Sequence, residues 1–242
     1  MRIPLPKFPK VGEAKAHAYP FRISLQTIEV VQASVFLVML GDLAAGEYFR
    51  TNGSCDRIEA QVIAKGLFPQ AAEEGWQLLG KYKGLLERSV FQNVLITMRS
   101  NWDWYLRRLS EFVRHARQFV DSPELDREMT AKFNKIQRWD MLTQIEVLQR
   151  ACGLTFEIGP SDLEMLREMS LVRNLGLHNR WEVDKHYLSQ SSVTRFGVGE
   201  VHIFDEEELT AWYSSLLTAI RKTGKDVAVK YVNVPEYPVV TS

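Results

Sequence analysis

Between Ser89 and Arg117 the apolar residues return every three or four positions: Leu95, Met98, Trp102, Tyr105, Leu109, Phe112 and Val113. That period gathers them on one face of an α-helix and scatters them over both faces of a strand. Ser89 and Gln92 are placed to form a capping box, and Asp121-Ser122-Pro123 interrupts the pattern. The spacing predicts a helix over about 89–118, roughly 45 Å long. A helix of that length with one apolar face needs other helices against it.

The same reasoning supplies them. Phe133, Ile136, Met141, Ile145 and Leu148 predict a helix over 131–152, stopped by Gly153. Pro160-Ser161-Asp162-Leu163-Glu164 opens a helix running to His178, with Ser161 expected as the cap and Glu164 three residues on. Asp205 and Glu208 repeat the device before Leu209, Trp212, Leu216 and Ile220, predicting a helix over 205–223 that stops at Gly224. Upstream, Ser24 is the expected cap of a helix ending near Gly46, followed by helices near 57–65 and 69–86.

Two stretches alternate. Val193 to Phe204, with Gly197 and Gly199 at its centre, predicts a small β-hairpin, and Asp226 to Val234 one further strand. The expected architecture is mainly α: a four-helix core with additional N-terminal helices and a small hairpin. Its parts are an extended proline-bearing arm over 1–23, a helical extension over 24–88, the bundle over 89–223 and an extended tail over 224–242.

Composition bounds function by exclusion. Thirty basic residues balance thirty acidic ones among 242, so no global positive field draws nucleic acid and only a local patch can do so. The N-terminal MRIPLPKFPK has no apolar core of a signal peptide. The apolar stretch from Val30 to Leu40 is too short to span a bilayer. The sequon Asn52-Gly53-Ser54 therefore reads as a turn. Cys55 and Cys152 lie far apart and fit a reducing compartment. The expectation is a cytoplasmic protein not bound to membrane.

Chemistry concentrates in Leu171-Val172-Arg173-Asn174-Leu175-Gly176-Leu177-His178-Asn179. Asn174 and His178 share a helix face, so the amide can orient the imidazole. Arg173 lies about 140° around the axis from His178, and the two diverge on one straight helix. A second copy related by a two-fold brings both pairs into one cleft. Gly176 costs about 1 kcal/mol in a helix relative to alanine, which fits the close approach of another backbone.

The pattern Arg173-Asn174-x-x-x-His178, followed by Asn179 and the short Trp181-Glu182-Val183-Asp184-Lys185, resembles the R-x4-H signature of the HEPN superfamily. The resemblance covers the helical core over 89–223. It implies a bundle that dimerises through its motif helices, and a metal-independent endoribonuclease of toxin or antiviral defence systems that needs no cofactor. By that likeness His178 is the acid/base, Arg173 the phosphate clamp, and Asn174 orients the histidine or the RNA. An imidazole ordinarily titrates near neutrality and can move the proton of a ribose 2′-hydroxyl. A guanidinium can neutralise charge growing on phosphate. RNA, a second copy and an antitoxin or other protein are the implied partners. Some domains of this kind are inactive and serve as binding or scaffold modules, and that alternative stays open.

Arg107 and Arg114 share a face of the long helix and, with Asn179, are the expected RNA contacts. A salt-bridge ladder through Glu111 is the competing reading, and Asp103 or Glu111 can also hold Arg173 or His178 in place. The competing reading of Arg173, Asn174 and His178 is that they simply cap carbonyls at the helix end and complement its dipole. His17, His186 and His202 have no partners at metal-ligand spacing. Trp102 and Tyr105 read as core, and Gly197-Val198-Gly199 as a turn.

Overall fold

The computed structural model of the chain describes residues 19–33 and 83–234. The expected helices over 57–65 and 69–86 (up to residue 82), the end of the helix expected to reach Gly46, the sequon, Cys55, arm residues 1–18 and tail residues 235–242 lie outside them. Among the described residues the order is α1 (19–33), α2 (Lys83–Ala116), α3 (Arg127–Asn134), a 3-10 turn (Ile136–Arg138), α4 (Met141–Cys152), α5 (Pro160–His178), α6 (Lys185–Gln190) and α7 (Glu206–Lys230). No helix among them is long and apolar enough to cross a membrane.

The bundle is built on α2. Its inward stripe of Leu95, Met98, Trp102, Tyr105, Leu109 and Phe112 is almost wholly buried, as the periodicity predicts. Helices α5 and α7 pack against it and against each other, and α4 closes the remaining side. Tyr105 carries its hydroxyl inward to the hydroxyl of Thr223 on α7 at 2.8 Å, which satisfies a buried polar group that would otherwise cost 1–3 kcal/mol. Helix α2 begins before the capping box expected at Ser89 and Gln92, at or before Lys83. The helix continues through those residues, so it does not start there.

The helix expected over 131–152 is two helices. Asp126 caps α3 by accepting from Met129 N, and Asp140 caps α4 by accepting from Leu142 and Thr143 N. An aspartate with two local backbone donors starts a new helix in preference to continuing an old one. Gly153 ends α4 in the left-handed region at φ 61°, as expected. Arg117 ties the preceding connection down by donating to the carbonyls of Ala151 and Pro123. For α5 the cap is Gly159 with Pro160 in the first turn, not Ser161. The Asp205–Glu208 capping box of α7 forms in both directions.

Five other expectations are corrected. Helix α1 runs through residues 19–33, so Ser24 is interior and its hydroxyl donates to Phe21 O at 2.7 Å. The arm therefore does not extend to residue 23: Tyr19 and Ile23 belong to the core, and Tyr19 stacks on Phe112 at 5.7 Å between centroids. Helix α7 does not stop at Gly224, because the bare Cα there admits Ser24 and Pro20 of α1. Val227, Tyr231 and Val234, spaced by four and three, are buried, so the apparent strand over 226–234 is helix through Lys230. The hairpin over 193–204 is absent. Val201 forms a single isolated bridge with Glu182, while the turn at Gly199, φ 86°, is present. His202 and Phe204 are instead drawn inward among Tyr187, Trp181 and Trp212.

Candidate active site at the end of the motif helix

Helix α5 buries Leu166, Met169, Val172 and Leu175. Burying that stripe fixes where the other side chains emerge. Arg173 comes out half-buried, whereas Asn174 and His178 are exposed. Arg173 Nη1 donates to Asn174 Oδ1 at 3.2 Å. The amide is thus engaged by the neighbouring arginine, not by the imidazole expected one turn on. His178 makes no hydrogen bond or ion pair with any described residue, and its imidazole faces solvent in the last turn of α5. Within one chain, then, Arg173 and Asn174 are joined and His178 stands apart.

Behind Arg173 lies a buried polar cluster that the sequence reading did not assemble. Arg99 of α2 pairs with Asp103 at 2.9 Å and donates to Gln144 Oε1 of α4 at 3.2 Å. Trp102 Nε1 donates to the same Oε1 at 2.7 Å. Arg173 faces this group with its Nε buried and making no hydrogen bond to a described residue. Burial holds the Asp103 carboxyl above the usual carboxylate range, opposed by Arg99, Gln144 and Arg173. Burial also lowers the Arg99 guanidinium, with attraction from Asp103 working against repulsion from Arg173. Arg173 therefore sits in the field of one carboxylate and one guanidinium. Asp103 makes its ion pair with Arg99, and Glu111 pairs with Arg108 at 3.7 Å. The signal for the cluster was Gln144, a polar residue next to Ile145 on an otherwise inward stripe.

Immediately after His178 the chain folds back. Asn179 N and Trp181 N both donate to Leu175 O, at 2.8 and 3.0 Å. The second bond reaches back six positions, one more than the long bond of a Schellman ending. Arg180 and Trp181 take φ of 52° and 69°, a conformation costing a non-glycine residue roughly 1–2 kcal/mol. The fold-back lays the indole of Trp181 on Gly176, where an added Cβ would lie 2.4 Å from Cζ2. The glycine is accordingly explained by a side chain of its own subunit, not by a second backbone or by RNA. Asn179 Nδ2 donates to Asp184, which also caps α6 through Tyr187 N. The amide expected on RNA thus fastens this connection.

The two arginines expected along an RNA path are both exposed. Arg114 lies over the ring of Phe133 at 5.5 Å. The ladder through Glu111 is not formed, since that carboxylate turns to Arg108.

A second buried cluster also went unread. Glu168 of α5 accepts from the hydroxyls of Tyr187 and, at 2.7 Å, Ser191. Tyr187 Oη lies 2.9 Å from His202 Nε2. Since the carboxylate takes the tyrosine proton, the imidazole donates through Nε2. Desolvation, then Arg195, lowers His202 to about 4. The alternation of Val201-His202-Ile203-Phe204, with every second residue buried, was the available signal. Glu164, Arg167, Gln190 and Ser192 surround the mouth of an open cleft of about 210 Å³ beside Glu168 and Ser191. Among the described residues no group of three or more His, Cys, Asp or Glu side chains is placed to hold a metal ion. Comparisons with known families, with characterised proteins and with solved structures each find no match to this chain.

Proposed function

We propose that the protein is an endoribonuclease of HEPN type that cuts RNA by attack of a ribose 2′-hydroxyl on the adjacent phosphate. The observation that carries the reading is the emergence of Arg173, Asn174 and His178 together from the end of one bundle helix. The guanidinium is half-buried against a fixed polar cluster and the imidazole is open to solvent. A rigid cation and a free acid/base are the two groups such a reaction needs.

In the proposed step one His178 takes the 2′-hydroxyl proton. The 2′-oxygen bonds to phosphorus, the bond to the 5′-oxygen breaks, and the leaving oxygen takes a proton from a second imidazole. Arg173 neutralises the charge that builds on the non-bridging oxygens. The products are a 2′,3′-cyclic phosphate and a 5′-hydroxyl, and the step itself calls for no divalent ion. Arg173 and His178 diverge about one helix axis, so a symmetric dimer that sets two α5 ends across one groove supplies both imidazoles. A toxin or defence setting, with an antitoxin as partner, belongs to the same reading.

The test incubates purified protein with a mixed RNA pool in chelator. Cleavage ending in cyclic phosphate, abolished by His178→Ala and by Arg173→Ala, is the expected result. Cleavage that survives both substitutions overturns the assignment. RNA retained without cleavage by wild type and variants alike favours a binding module.

A further inference from the structure

We infer that Trp181 is a positioning residue: seated on Gly176, it fixes the His178–Asn179 corner and so sets the imidazole relative to Arg173. The inference rests on the ribonuclease reading for its catalytic consequence, and on geometry alone for its structural one.

Three observations converge. The first is the seat itself. The position of an added Cβ on Gly176 lies 2.4, 2.5 and 2.7 Å from three atoms of the indole six-membered ring. No other side chain than glycine leaves that place open. Gly176 is one turn along from Arg173 on the same face of α5, so the indole occupies the turn next to the clamp.

The second is the backbone. Asn179 N and Trp181 N converge on Leu175 O, and both Arg180 and Trp181 hold positive φ. Neither is a residue type that adopts this conformation readily. Two such residues in succession persist only where their surroundings determine them, and such places concentrate at functional sites. His178 lies two residues before this pair, with Asn179 between them.

The third is the anchoring beyond it. Trp181 O accepts from His202 N at 2.7 Å, and Val183 exchanges backbone hydrogen bonds with the 199–200 segment at 2.8 Å each. Asn179 is tied to Asp184. The corner bearing His178 is therefore held from both sides, with the indole as the wedge between helix and returning chain. An exposed side chain with no hydrogen bond to a described residue has its position set by its backbone, and here the wedge sets the backbone.

A double-substitution cycle in the full-length chain tests this. The readouts are RNA cleavage and the ring resonances of His178, identified by their loss in His178→Gln. Trp181→Ala and Gly176→Ala each remove the seated indole. Each is expected to shift the His178 resonances and lower kcat by about tenfold or more, with KM within about twofold. With the indole already gone, Gly176→Ala should add nothing further. Trp181→Phe, which still seats a ring, should restore most of kcat and the wild-type resonances. The inference is overturned if Trp181→Ala and Gly176→Ala lower the melting temperature yet leave the His178 resonances and kcat unchanged, or if their effects simply add. If wild type cleaves no RNA but the His178 resonances respond as stated, the ribonuclease reading fails and the positioning role stands.

Discussion

Trp102 and Gln144 meet in the interior with the indole N–H 2.7 Å from the amide oxygen, and both side chains are wholly removed from solvent. The same oxygen accepts from Arg99 at 3.2 Å. One acceptor on α4 thus satisfies two donors on α2, one of them charged, directly behind Arg173. Replacing Gln144 by alanine strands the indole N–H, takes one acceptor from Arg99, which keeps Asp103, and leaves a cavity. The expected cost is about 3 kcal/mol, read from the shift of the urea midpoint. A change under about 1 kcal/mol would show that the donors find other partners.

Helix α1 is docked through a glycine. A Cβ on Gly224 would lie 2.6 Å from Ser24 Cβ and 3.2 Å from Pro20 O. Gly224→Ala favours the helical backbone of α7 by about 1 kcal/mol but forces α1 away. The net expectation is a loss of about 1–2 kcal/mol, since overpacking of this kind costs 1–3. Combining it with Ser24→Gly relieves the clash at Ser24, so the double variant should be more stable than Gly224→Ala alone. Thermal unfolding of the variants decides the point.

His202 makes stability depend on pH. Its imidazole is lowered to about 4 in the folded chain against an ordinary 6.5, chiefly by burial. Below about pH 6.5 the unfolded chain takes up a proton that the folded chain refuses. The contribution is therefore full above that value and is lost as pH falls from 6.5 to 4. Its size is about 3 kcal/mol. His202→Gln cannot titrate and keeps a donor for Tyr187. Wild type should lose stability relative to this variant across that window, measured by urea unfolding at each pH.

Arg173 separates function from fold. Among the described residues it makes one hydrogen bond, to an exposed amide, so Arg173→Ala should change stability by less than about 1 kcal/mol. If it clamps phosphate in the transition state, cleavage should fall by about 10²–10³-fold. Arg173→Lys keeps the charge without the planar fork and should fall between. Paired unfolding curves and RNA turnover on the same preparations check both halves.

Periodicity and capping chemistry are local, so they were legible in the sequence. They placed the buried face of α2, the stop at Gly153, the span of α5 and the Asp205–Glu208 box. Local signals failed where two of them competed. Val227, Tyr231 and Val234 lie at helical spacing within a stretch that also alternates, and only packing of α7 on the core chose the helix. Ser24 is a fair cap by itself, yet burial of Tyr19 and Ile23 extended α1 past it.

At the candidate site the residue types and their spacing along α5 were the sequence's own. The partners were not. Burying Val172 and Leu175 brings Arg173 and Asn174 out of the bundle side by side, where the amide oxygen accepts from the guanidinium. Gly176 waits for an indole five residues on, brought back by two left-handed residues that no local preference favours. Arg99, Gln144 and Arg173 come from three helices, and Glu168, Tyr187 and His202 from two helices and a loop. Helical period fixes which face a residue takes, whereas pairing across elements depends on how faces of different helices meet, and that is decided only when the bundle packs.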